Sequence, residues 1–184
     1  RAQQKQMILG MWSNIAKMIL AKTDLTEEEQ AKYLEDTLAF DALFANIVKT
    51  SEEWSEYVQM YNPRKTAGVA KKLNTIKFKA ILKDLFGVVP ETVVVAEPRY
   101  INAFSTVFTK ENFELYKHWA YVTELCNACT YLSEELRDLG GMYYRALAGI
   151  PAATPIHKFA YNLASGMYSE PVGLYYGRKY FGEE

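Results

Sequence analysis

Cys126-Asn-Ala-Cys129 has the spacing of a reactive thiol pair. Redox pairs of this form sit at a helix N-terminus after a strand, where the helix dipole lowers a thiol pKa. Here the spacing falls in mid-helix on an apolar face, and a zinc ribbon would need a second pair that the chain lacks. The two thiols read as small buried packing groups. The histidines, His118 and His157, form no H-E-x-x-H: Trp119 follows His118, and no second His lies one turn on. His157 falls in the first turn of a predicted helix, where the dipole disfavours its charge. Both are expected at the surface or on a polar rim. Asp41 lies inside the apolar run LAFDALFANIV and needs a partner if buried, so a cap or an ion pair is its expected role. No G-x-S-x-G elbow and no glycine-rich phosphate loop occurs. Spacing therefore assigns no catalytic residue and no metal ligand, and it leaves substrate contacts unassigned.

Charge and aromatic content give two further candidates. Between Arg64 and Asp84 stand Arg64, Lys65, Lys71, Lys72, Lys77, Lys79 and Lys83 against the one acid Asp84. A nucleic-acid surface would want aromatics or a recognition motif among these lysines, and none of the known signatures appears. A solvated lysine face is the expectation, with an anion-attracting patch as the alternative. The pairs Tyr143-Tyr144 and Tyr175-Tyr176 could line a groove. Such pairs more often split, one ring toward the core and one toward solvent.

These side chains need elements to hold them. The chain has 184 residues, 49% hydrophobic and 23% charged, with a net charge of −1. That suffices for one full-sized domain and gives no global bias toward nucleic acid or acidic membranes. No apolar run approaches the ~20 residues of a bilayer span. The first residues lack a signal-peptide pattern, and two cysteines cannot staple a domain of this size. Both ends read as cut from a longer chain.

A helix is expected over 3–23, with Ile8, Met11, Trp12, Ile15, Met18 and Ile19 on its inner face. Thr26 and Glu29 form a capping box for a second helix reaching about Lys49, buried on more than one side in its second half. Shorter helices follow at Ser51 to Tyr61, Thr66 to Leu73 and Thr75 to Phe86, the last closed by Gly87. A short extended segment is expected near 92–96, then a helix from Pro98 to Phe108. Residues 110–138 contain no Pro or Gly and predict one long central helix, on the order of 40–45 Å. Its inner face narrows at Cys126 and Cys129, which lets a neighbour approach closely. Gly140-Gly141 predicts a kink or stop. Thr154 and Pro155 open another helix, broken at Gly166 and Pro171, before an aromatic-rich last one. The fold class is all-α: an irregular, orthogonal multi-helix bundle forming a single helical domain over 1–184.

Six blocks in order also resemble the neprilysin family of zinc metallopeptidases. They are Phe40 to Asn46, Tyr61-Asn62, Val93 to Tyr100, Tyr116-Lys-His-Trp119 through Leu132-Ser133, Tyr143 to Gly149, and Val172 to Phe181. Before Ala160 the animal members carry Arg-Trp and a disulfide cysteine that this chain lacks, so the likeness is to the bacterial, oligopeptidase-O-like branch. The resemblance implies a parent zinc endopeptidase of oligopeptides, with this chain as the larger part of a helical domain that walls an enclosed cavity. It implies that 169–184 starts a crossover toward the catalytic domain, the chain's expected partner. Zinc then belongs to the parent, and this fragment is expected to be inactive, with no cofactor of its own. Self-association of an excised wall is expected, and nucleic acid and membrane spans are not. The disulfide-free branch favours a cytoplasmic address and leaves a surface or secreted one open. A free-standing helical scaffold or interaction module is the alternative.

Overall fold

The computed structural model describes residues 2–45 and 47–182, with side chains from Gln6 onward. Asn46, which closes the first family-like block, lies outside the described residues, as does the terminal Glu-Glu pair. The chain divides into two compact units: Ala16–Leu125, and Arg1–Ile15 with Cys126–Glu184. They are termed the middle and terminal units.

Ten α-helices, two short 3-10 turns and one two-stranded sheet make up the regular structure of the described residues. Helix α1 spans Ala2–Leu20 and buries Ile15, Ala16, Ile19 and Leu20. Met18, expected on that face, is 51% exposed, because burial follows the adjacent pairs at 15–16 and 19–20. Helix α2, Glu27–Ala42, starts at the expected capping box: Glu29 N–H donates to Thr26 Oγ1 and Thr26 N–H to Glu29 Oε2. It ends well short of Lys49, in turns closed by Leu43 and Phe44 N–H donating to Phe40 and Asp41 carbonyls. The second half is not buried all round: Phe40 is fully buried, whereas Asp41 and Ala42 are exposed. Asp41 therefore needs no buried partner.

Helix α3, Ser51–Ser55, has a second capping box on Thr50 and Glu53. Two strands follow as a pair: β1, Pro63–Lys65, runs antiparallel to β2, Thr92–Val94, with Arg64 opposite Val93. The β2 segment matches the extended stretch read from the sequence. Strand β1 does not follow from the sequence, since its Pro-Arg-Lys run has no β signal of its own. Between the strands lie α4, Thr66–Lys72, and α5, Phe78–Phe86, which Gly87 ends at φ 73°. Helix α6, Pro98–Val107, begins on the proline, and Glu97 Oε1 accepts from Arg99 N–H. Val69 of α4 and Leu73, which caps it, bury against Val95, with Ile101 and Phe104 of α6 packed on them.

The all-α class holds, but the single helix over 110–138 does not. Helix α7 covers Phe113–Ala128, a 3-10 turn takes Cys129–Tyr131, and α8 restarts at Glu134–Ala148. Absence of Pro and Gly does not guarantee continuity when a stronger start signal intervenes. Ser133 Oγ accepts from Leu136 N–H, and Glu134-Glu135 favour the new positive terminus. Gly140-Gly141 does not stop α8, which runs on to Gly149 at φ 66°. Gly140 instead permits a close approach: a Cβ there would lie 2.7 Å from Cys129 Cβ. Helix α9, Ile156–Met167, starts one residue later than expected, with Pro155 at the cap and no side-chain cap bond. Helix α10, Ser169–Phe181, takes Pro171 into its first turn. Among the described residues no helix is long and apolar enough to cross a membrane.

Candidate functional site

A buried polar group in the middle unit joins α2 to α7. Asp36 is 4% exposed. Its Oδ1 lies 2.6 Å from Lys32 Nζ, one turn back on α2, and its Oδ2 lies 2.6 Å from His118 Nδ1. Burial pushes the Asp36 carboxyl up, but the Lys32 and His118 hydrogen bonds outweigh it and leave the carboxyl below its ordinary range. An ionised carboxylate only accepts, so His118 Nδ1 carries the proton it donates. Tyr33 stacks on the His118 ring at 3.8 Å, and Tyr121 meets Tyr33 edge-on. Both oxygens of the acid have partners and one ring face is covered. The arrangement is a clasp between helices, and neither hydrogen bond of the carboxylate leads to a hydroxyl or thiol nucleophile.

Spacing alone misses Asp36. Its readable signal is its place in the inward rhythm of α2, with Tyr33, Thr37 and Phe40, and a lysine four residues before it. No local pattern points from there to His118, because the contact joins residues 82 apart.

The remaining candidates do not converge. Cys126 is half-buried near the end of α7, and Cys129 is buried in the turn after it. Burial pushes the Cys126 thiol up to about 11 and raises Cys129 as well, opposite to what a reactive pair needs. His157 is exposed in the first turn of α9. Tyr143 and Tyr144 split, half-buried and exposed, while Tyr175 and Tyr176 are both exposed, against the expected split. All seven basic residues from Arg64 to Lys83 are exposed. None of them ion-pairs with a described residue.

In the terminal unit, Arg137 is 9% exposed. It donates from Nη1 to the Thr154 carbonyl at 3.0 Å and lies 5.2 Å from the Phe159 ring centre, tying α8 to the start of α9. Its buried Nε has no partner among the described residues.

Zinc is not suited by what stands here. No group of three His, Cys, Asp or Glu that could hold a metal occurs among the described residues, and His118 is already committed to Asp36. The fold and these side chains define a helical region.

Comparison with known proteins identifies the family. The model of peptidase family M13 matches residues 1–184, and the chain belongs to that family. The neutral endopeptidase of Lactococcus lactis subsp. cremoris is 33% identical over 180 residues, covering 98% of this chain and 28% of the relative. A putative zinc metalloproteinase of Streptococcus gordonii is 34% identical over 181 residues, covering 98% and 32%. The crystal structure of PEPO from Lactobacillus rhamnosis superposes with a TM-score of 0.89 at 28% identity, over 97% of this chain and 28% of that one. The Mycobacterium tuberculosis zinc metalloprotease ZMP1 in its open state shares the fold, with a TM-score of 0.83 at 20% identity over 98% and 29%. The chain thus spans about a third or less of these relatives. The neprilysin-type resemblance of the six sequence blocks is upheld.

Proposed function

We propose that this chain is the non-catalytic helical region of a zinc-dependent endopeptidase that cleaves oligopeptides, and that it forms one wall of an enclosed substrate cavity. The carrying observation is the M13 match along the whole chain, beside a sequence with no H-E-x-x-H. Zinc hydrolysis needs two histidines on one helical face and a glutamate to activate the bound water, and the parent supplies them elsewhere. In this reading residues 1–184 belong to one helical domain, and 169–184 begin the crossover toward the catalytic domain of the same parent.

The state of α9 and α10 supports that partner. Within them only Phe159, Ser165 and Gly177 are half-buried, while Leu174, Tyr175, Tyr176 and Phe181 stand open to solvent. Exposed apolar side chains in this number are what a covering partner would bury. The test is elemental analysis of the purified chain together with a cleavage assay on a bradykinin-sized peptide. Neither stoichiometric zinc nor turnover is expected, and tight zinc with turnover overturns the proposal. Adding the parent's separately produced catalytic part should yield a complex that Leu174→Asp with Tyr176→Asp weakens. Unchanged binding by that double variant removes α10 from the interface.

A further inference from the structure

The lysine-rich stretch has a feature that the proposed role leaves unused. Beside β1, α4 and α6 lies a recess of about 160 Å³. Its floor is aliphatic, with Val69, Val95 and Ile101, and its rim carries Arg64, Lys65 and Lys72. Among the described residues no acidic side chain lines it. The Lys72 ammonium donates to Asn102 Oδ1, a neutral acceptor that leaves its charge uncompensated, and Arg64 reaches the Pro63 carbonyl only at 3.5 Å. The strands set Arg64 opposite Val93, and α4 begins directly after Lys65, so all three cations are held on short, regular backbone.

We infer that this recess is a docking site for an acidic peptide segment carrying one aliphatic or aromatic anchor residue. An apolar cavity of ~150 Å³ holds a benzene-sized group, so this recess takes one side chain and no more. The cations then meet carboxylates on either side of the anchor, as acidic motifs are met by basic clusters elsewhere. Two other anionic partners fit less well. No aromatic ring among the described residues lines the recess to stack a nucleobase. A lipid acyl chain exceeds its volume, and a net charge of −1 gives the chain no general pull toward an anionic bilayer. The site goes beyond the proposed cavity wall and does not depend on it.

The test is fluorescence anisotropy of the chain with a labelled glutamate-rich peptide bearing a central leucine. The same peptide with alanine at its centre, phosphatidylserine vesicles and single-stranded DNA serve as comparisons. Because the charges are exposed, binding should be weak and should fall with added salt. Arg64→Glu, Lys65→Glu and Lys72→Glu together should weaken it by at least ~10-fold, since the rim supplies the attraction. Gly68 lines the recess, and a Cβ added there would meet nothing within 4 Å, so Gly68→Leu adds bulk at the recess with no clash at its Cβ. That plug should bring the leucine peptide down to the affinity of the alanine peptide, with an unchanged circular dichroism spectrum. Binding that survives the triple reversal, or ignores the plug, overturns the inference. Vesicles or DNA bound as tightly as the peptide also overturn it.

Discussion

Two regions of this chain spend their aromatic residues in opposite ways. In the middle unit Phe40 is fully buried, with Phe44, Phe108, Tyr116 and Trp119 rings centred 5.4 to 5.8 Å away. Tyr100 and Phe104 extend the cluster through Phe44 and Phe108. In the α9 and α10 region the rings of Tyr161, Tyr168, Tyr175, Tyr176 and Tyr180 are all exposed, and Tyr176 meets the rings of Tyr180 and Phe181 on its own helix. The buried set is mostly Phe and the open set mostly Tyr, yet the buried cluster also holds Tyr100 and Tyr116, so residue type alone does not separate them. What differs is whether an opposing element closes over the face. In the middle unit α2, α6 and α7 supply rings to one another; α9 and α10 keep an apolar surface that burial has not used.

That contrast predicts unequal mutational costs. Phe40→Ala should have the largest effect, destabilising by about 3–5 kcal/mol in urea unfolding, because it empties the centre of the cluster. Tyr176→Ala should change the same stability by less than ~0.5 kcal/mol. A comparable loss at Tyr176 would show that its face is part of a core. Next, Asp36→Asn should cost roughly 2 kcal/mol by disrupting a buried charged hydrogen-bond pair.

The clasp also has a pH signature. The folded-state pKa of Asp36 is depressed, so its contribution is present above the unfolded carboxylate value of ~3.9 and is lost as pH falls through the folded value. Stabilities of the unsubstituted chain and Asp36→Asn should therefore converge below that pH, and a constant gap between them would show that the carboxylate charge contributes nothing.

Glycines separate packed from open surface at smaller energies. Gly140→Ala should destabilise by ~1–3 kcal/mol, since its Cβ meets Cys129. Gly173→Ala, on open α10, should stabilise by ~0.5–1 kcal/mol through helix propensity. Smallest of all, the raised thiols should leave Cys126 and Cys129 slow to alkylate at neutral pH in the native state and fast after unfolding. Rapid native alkylation would show that α7 and the turn after it open locally.

Local signals are legible where a side chain acts on its own backbone. Thr26 with Glu29, Gly87 and Pro98 can be read at sight, because caps and fixed φ angles need only near neighbours. The break before Glu134 is written in Ser133-Glu-Glu, but a long stretch without Pro or Gly conceals it. Strand β1 is invisible because its pairing depends on Thr92–Val94, on the far side of two helices in the chain. The Asp36–His118 bond is hidden for the same reason.

By itself the sequence determined the helical class, most helix starts, the family, and the lack of any spacing for zinc chemistry. Periodicity, capping and motif order are properties of residues close in the chain. Only the tertiary structure decided that Asp36 is clasped, that Gly140 admits Cys129, that three cations ring an aliphatic recess, and that one aromatic set is core while the other stays bare. Each of those depends on which distant surfaces meet, and burial and electrostatics act through space.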